Sequence, residues 1–335
     1  MERNMKKWAA ELIAAPVKKP FPILSFPSTQ LLGISVRELI SNSDAQARGM
    51  KLIADRVDAA ASVSLMDLSV EAEAFGSTIR VSDNEVPTVT GAIVTDAEEA
   101  EALEIPPVGP ARTGLYVESI RKAAQLITDR PVFAGTIGPY SLAGRLLDVS
   151  EIMLLCFDDP DMVHTVLRKT TVFLINYINA YKAAGANGVI VAEPLVGLLS
   201  PALAEEFCAP YMKQIVDAVQ DEAFLVIYHN CGNNVLRMAD SIIRCGAAGY
   251  HFGNAIDLPR MSEKIPDDVV FMGNIDPVGI FCGDADAAYE ATMDLLKKIG
   301  HRANFVPSSG CDVPAHANLA AADAFYKAVE DYYRG

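Results

Sequence analysis

His229 and Cys231 stand two residues apart at the end of the apolar run Phe224-Leu-Val-Ile-Tyr-His-Asn-Cys-Gly232, and Cys311 closes a second run, Asn304-Phe-Val-Pro-Ser-Ser-Gly-Cys311. Side chains alternate faces along an extended chain, so residues two apart point the same way. One imidazole and two thiolates make a soft nitrogen–sulfur set suited to Zn2+. Three protein ligands leave one tetrahedral position open, which describes a catalytic zinc rather than a structural one. Taken singly, each residue has an ordinary reading. Cysteine is among the most often buried residue types, and a strand-end histidine is commonly a hydrogen-bonded core residue. Glu193 ends a third run, Gly188-Val-Ile-Val-Ala-Glu193, and would complete the tetrahedron until a substrate displaces it.

The elements that must carry these residues follow from the hydrophobic pattern. From residue 62 onward, short β-rich runs alternate with amphipathic stretches long enough for crossover helices. Eight strands are expected, at 62–68, 78–82, 131–136, 188–193, 224–229, 248–252, 269–274 and 304–309. Such spacing predicts parallel pairing and a (β/α)8 TIM barrel spanning residues 61–335. Residues 1–60 read as an N-terminal helical extension packing on it: a short helix from Trp8 stopped by Pro16, a proline-punctuated extended stretch, and helical spacing over 36–61. An open doubly wound sheet would want a glycine-rich phosphate turn after its first strand, and Leu65-Met-Asp-Leu-Ser-Val-Glu71 is no such turn. Barrel enzymes work at the C-terminal ends of their strands. His229, Cys231, Cys311 and Glu193 all fall there.

Composition bounds the partners. With 335 residues, 51% hydrophobic and 21% charged, the chain can bury a large core. A formal charge of −15 speaks against nucleic acid and against anionic membrane surfaces. Six scattered cysteines do not resemble a disulfide framework, so a reducing cytoplasm is the expected location. Neither a signal-peptide pattern nor an apolar run of transmembrane length is visible.

Other residues have two readings each. Asp67, after the first run, suits an acid, a hydrogen-bond acceptor or a loop cap. His251 either supports the site or is merely packed, and Asp276 suits a cap. Cys156, Cys208, Cys245 and Cys282 read as buried fillers. In the strand exit Gly135-Thr-Ile-Gly138-Pro-Tyr-Ser, the bare backbone at Gly135 and Gly138 would let a bulky cofactor approach closely.

These stretches resemble the uroporphyrinogen decarboxylase superfamily, and within it the zinc-dependent corrinoid methyltransferases, with the nearest likeness to methylcobamide:coenzyme M methyltransferases. The resemblance runs over nearly the whole chain. It is carried by Met66-Asp67-Leu-Ser-Val-Glu-Ala-Glu-Ala-Phe-Gly76, Gly135-Thr-Ile-Gly-Pro-Tyr-Ser-Leu-Ala-Gly144, Glu193-Pro, His229-Asn-Cys231-Gly and Gly310-Cys311-Asp. It implies a barrel, zinc on residues matching His229, Cys231 and Cys311 with Glu193 as a further ligand, and a methylated corrinoid on a separate small protein. Asp67 matches the pyrrole-binding Asp of the decarboxylases. Their arginine-rich N-terminal segment has no counterpart in Phe21-Pro-Ile-Leu-Ser-Phe-Pro-Ser-Thr-Gln30, which argues against a polyanionic porphyrinogen.

The expected reaction moves a methyl group from methylcobalamin to a zinc-activated thiol such as coenzyme M. The alternative runs the other way, passing a methyl from a methoxylated aromatic or methylated amine to Co(I) corrinoid. A zinc or corrinoid-protein binding module without catalysis is a third reading. Arg80, Arg112 and Arg145 are the cations nearest to strand ends that could anchor an anionic thiol.

Overall fold

The structure, a computed structural model, describes residues 3–335. Among the described residues nine strands form in chain order: β1 (Ser62–Val63), β2 (Thr78–Arg80), β3 (Thr88–Thr90), β4 (Val132–Ile137), β5 (Gly188–Ala192), β6 (Leu225–Asn230), β7 (Gly249–Phe252), β8 (Val270–Ile275) and β9 (Phe305–Ser309). Seven of them make one sheet in the order β1-β4-β5-β6-β7-β8-β9. Every neighbouring pair in it is parallel. Helices connect these strands on the outside, and the sheet curls into the expected TIM-type barrel.

These runs form strands because both of their faces are covered. The side chains of β4, β5, β6, β7 and β9 are buried throughout, as a parallel sheet wrapped in helices requires. Alternation then divides them. Val189, Val191, Val226, Tyr228 and Phe271 pack outward against the helices. Ile190, Ala192, Leu225, Ile227, Val270, Met272 and Val306 fill the barrel interior with Phe21, Ile23 and Phe133. The first helix, Met5–Ala14, contributes to that interior through Met5 and Trp8, whose ring lies 5.6 Å from Phe133.

One expected strand lies elsewhere. The 78–82 run forms β2 of a separate antiparallel hairpin with β3, and its side chains are exposed or half-buried. Between β1 and this run the chain has room only for the five-residue helix Val70–Ala74, too little for a parallel crossover. The gap between β9 and β1 is bridged instead by residues 20–26. Phe21 donates its N–H to the Pro307 carbonyl at 2.9 Å, and Val313 N–H reaches the Ile23 carbonyl at 2.9 Å. On the other side Ala60 N–H bonds the Pro20 carbonyl at 2.8 Å, and the Ser25 hydroxyl donates to the Val63 carbonyl. Prolines at 20, 22 and 27 remove ladder donors, so this segment closes the barrel without forming a regular strand. No helix among the described residues is long and apolar enough to cross a membrane.

Candidate metal centre

His229 sits near the end of β6, on the interior-facing parity of Leu225 and Ile227, and is 2% exposed. Cys231 follows two residues on, half-buried, and Cys311 lies two residues beyond β9. The ligand atoms of these three residues lie within 4.8 Å of one another. Cys311 Sγ is 3.5 Å from His229 Nε2. A tetrahedral zinc with ordinary Zn–S and Zn–N bonds would separate such a pair by about 3.6 Å. The donor set and its spacing therefore fit zinc, with the imidazole offering Nε2. The turn after β6 is held in place from both sides. Asn230 donates to the Glu193 carbonyl at 2.8 Å and accepts from Gly232 N–H at 2.9 Å. A Cβ on Gly253, after β7, would lie 2.5 Å from Cys231 Cα, so glycine is required there for the loop to pass.

The two thiols share their acidity. A hydrogen bond from Cys311 holds the Cys231 thiol well below the usual thiol range. Cys311, the half-buried donor to that sulfur, is pushed up by the same bond and next by its desolvation.

Behind the donors, His229 Nδ1 meets His251 on the next strand, 3.2 Å from its carbonyl and 2.6 Å from its Nδ1. His251 Nε2 is 2.8 Å from Ser308 Oγ, which bonds the Phe21 carbonyl at 2.8 Å. Burial pushes His251 down. Ser308 and Phe21 carried no signal in the sequence. Both lie in apolar runs, and only barrel closure brings them together.

Glu193 is placed differently from the three donors. It is 1% exposed, and its carboxylate accepts from Tyr140 N–H at 3.0 Å, Ser141 N–H at 2.9 Å and Ser141 Oγ at 2.6 Å. Those donors form the first turn of the helix Pro139–Leu147, where a carboxylate satisfies otherwise orphaned N–H groups. Burial raises Glu193 to about 7 against these bonds. Gly138 is bare because a Cβ there would fall 2.4 Å from the Glu193 carboxyl carbon, and Gly135 because a Cβ would meet Met66 Sδ at 2.3 Å. The room left by both glycines is filled by the chain itself.

Asp67 is wholly engaged. Its Oδ1 accepts from Ser69 N–H and Oγ, and its Oδ2 from Arg112 and from Tyr116 Oη at 2.8 Å. Arg112 also binds Glu73 and Ser69, so its guanidinium is committed to the protein. Arg80 lies in the hairpin, and the Nε of half-buried Arg145 has no partner. Asp276 accepts from Val278 and Gly279 N–H and caps its own turn. Cys156, Cys208 and Cys245 are buried and Cys282 half-buried, as fillers should be.

The profile of the family described as uroporphyrinogen decarboxylase (URO-D) matches residues 24–332, nearly the entire chain. The chain belongs to the uroporphyrinogen decarboxylase family. Within this family its relatives have more than one activity. The methylcobamide:CoM methyltransferase MtbA of Methanosarcina acetivorans is 27% identical over 237 residues, covering 69% of this chain and 68% of that protein. A uroporphyrinogen decarboxylase of Coxiella burnetii is 25% identical over 284 residues, covering 81% and 77%. Among solved structures, a methyltransferase from Methanosarcina mazei superposes with a TM-score of 0.84 over 99% of both chains at 22% identity. A B12-independent methionine synthase from Shewanella reaches 0.63 at 12% identity, covering 89% of this chain and 90% of that one. At these identities the structural likeness establishes the family fold.

Proposed function

We propose that this chain is a zinc-dependent corrinoid methyltransferase that moves a methyl group from a methylcobamide, carried on a small partner protein, to a thiol. The observation that carries the reading is the convergence of His229, Cys231 and Cys311, one nitrogen and two sulfurs from strand ends at the mouth of the barrel. Relatedness to methyltransferases named for methylcobamide and CoM supports the same direction.

Zinc in this set would supply Lewis acidity that deprotonates an incoming thiol while leaving its sulfur nucleophilic. The chain's own residues do the rest. Cys231 and Cys311 would contribute two negative charges, which keep a bound sulfur electron-rich. Neutral His229 adds a ligand without adding charge. In the overall transfer the C–Co bond breaks, the C–S bond forms, and cobalt leaves as Co(I) with the electron pair. Glu193 would serve as an exchangeable fourth ligand only by releasing the Ser141 and Tyr140 donors that hold it. Decarboxylation is disfavoured on two grounds. The 21–30 segment offers no arginine to a polycarboxylate, and the Asp67 carboxylate is already saturated by Arg112, Tyr116 and Ser69.

The test is loss of methylcobalamin absorbance by zinc-loaded protein with coenzyme M, then with other thiols. Turnover that needs both zinc and thiol, and disappears in Cys311→Ser, supports the proposal. Absence of turnover with every thiol, despite stoichiometric zinc, overturns it. Methyl transfer from a methoxylated aromatic to Co(I) corrinoid would then be the direction to assay.

A further inference from the structure

We propose that His251 is a positioning residue: acting with Ser308 and the Phe21 carbonyl, it fixes His229 as the Nδ1–H tautomer and thereby presents a bare Nε2 to the metal. Its metal consequence rests on the zinc reading above, but the tautomer assignment does not.

The assignment follows from which atoms can donate. His229 Nδ1 lies 3.2 Å from the His251 carbonyl oxygen. A carbonyl only accepts, so Nδ1 must carry the proton. The same N–H faces His251 Nδ1 at 2.6 Å, which must then be the accepting nitrogen. A neutral His251 therefore holds its proton on Nε2 and donates it to Ser308 Oγ at 2.8 Å. Ser308 in turn donates to the Phe21 carbonyl at 2.8 Å, again an atom that only accepts. The series is pinned by a carbonyl at each end, and every donor points the same way. Reversing it would set the His229 Nδ1 lone pair against the His251 carbonyl and remove the donor from Phe21. His229, His251 and Ser308 are 2%, 0% and 0% exposed, so water is not at hand to repair either loss.

Fixing Nδ1–H leaves Nε2 as the lone-pair nitrogen, and that atom is the one facing Cys311 Sγ at 3.5 Å. A packed core histidine needs a partner for each nitrogen. Here the partners also set a direction, and the direction delivers a lone pair to the thiols. Hydrogen bonding of a ligating imidazole through its other nitrogen is how metal sites hold tautomer and ring orientation. The usual partner is a carboxylate, carbonyl or water. In this chain it is a second neutral histidine together with that histidine's own carbonyl. The far end of the series is Phe21, in the 20–26 segment that closes the barrel, so closure of the seam and the tautomer of His229 are set by the same contacts.

Long-range 1H–15N NMR of the metal-free, full-length protein reads the tautomers directly, and with five histidines the imidazole signals can be assigned by single substitutions. His229 is expected as Nδ1–H and His251 as Nε2–H. In His251→Leu the carbonyl at position 251 still accepts but the ring acceptor is gone, so His229 should gain a minority Nε2–H population, and zinc affinity measured by chelator competition should fall about ten- to a hundredfold. His251→Asn keeps an acceptor near the lost Nδ1 and should recover most of that affinity, whereas a purely space-filling role would favour leucine over asparagine. An Nε2–H signal for His229 in the wild-type chain overturns the proposal. So does an unchanged His229 tautomer in His251→Leu. If that variant fails to fold, the wild-type spectrum still decides. Zinc refused by a wild-type chain with the assigned tautomers would sink the zinc reading and leave this inference standing.

Discussion

Cys311 Sγ lies 3.5 Å from His229 Nε2 although 82 residues separate them and two strands, β7 and β8, stand between β6 and β9 in the sheet. The contact crosses the barrel mouth rather than following the ladder. It makes the candidate metal site a product of barrel curvature, with His229 inside β6 and the two thiols just beyond the ends of β6 and β9.

Replacing Cys311 or Cys231 by serine should cut zinc affinity roughly a hundredfold or more, since one of three protein ligands is lost. Metal analysis after dialysis checks this. Because both residues are only half-buried, melting of the metal-free variants should stay close to wild type. Zinc retained at full stoichiometry in either variant would contradict the assigned ligand set.

Glu193→Ala should destabilise the fold by about 2 kcal/mol, because three buried donors at the start of the helix Pro139–Leu147 lose their acceptor. Zinc stoichiometry should be unchanged, since His229, Cys231 and Cys311 remain. Urea denaturation and metal analysis on the same preparation separate the two effects. Loss of zinc without loss of stability would make Glu193 a resident ligand.

The buried pair Arg112–Asp67 has side-chain exposures of 12% and 0%. Arg112→Met should therefore cost about 3 kcal/mol by stranding a buried carboxylate. Adding Asp67→Asn should restore part of that loss. A double-mutant cycle in urea measures the coupling, and strict additivity of the two changes would refute it.

Glu71 is buried, with Oε1 bonded to Thr136 Oγ1 and Ile137 N–H and Oε2 unpartnered. Burial, opposed by the Thr136 bond, raises it from 4.5 to about 7. The folded chain then holds this proton more tightly than the unfolded chain between those values, so stability falls as pH rises through the window and levels off above it. The slope should be shallower in Glu71→Gln, by up to roughly 3 kcal/mol across the window. Denaturation of metal-free protein at pH 5 and pH 8 reads the difference, and parallel slopes would show that Glu71 is ionised throughout.

Much of this molecule is legible from residue order, because its strongest signals are local. Seven of the barrel strands announce themselves as apolar runs, since a strand buried on both faces needs uninterrupted β-branched and aromatic residues. His229 and Cys231 declare a shared face by their spacing of two, and the N/S chemistry of the set follows from residue type alone. What the sequence could not decide depends on contacts between distant segments. The 78–82 run has strand composition, yet no crossover helix precedes it, and it pairs in a hairpin outside the barrel. Residues 20–26 look like a proline-broken lead, but they fill the seam because β1 and β9 leave backbone groups that must be bonded. In the sequence Glu193 reads as a further metal ligand and Asp67 as an acid, an acceptor or a loop cap at strand ends. Only packing reveals that a helix N-terminus and an arginine already occupy them. His251 could be read as packed or supporting with equal right until Ser308 and Phe21 arrived beside it, since the direction of a hydrogen-bond series is set by its terminal carbonyls and not by the identity of any residue within it.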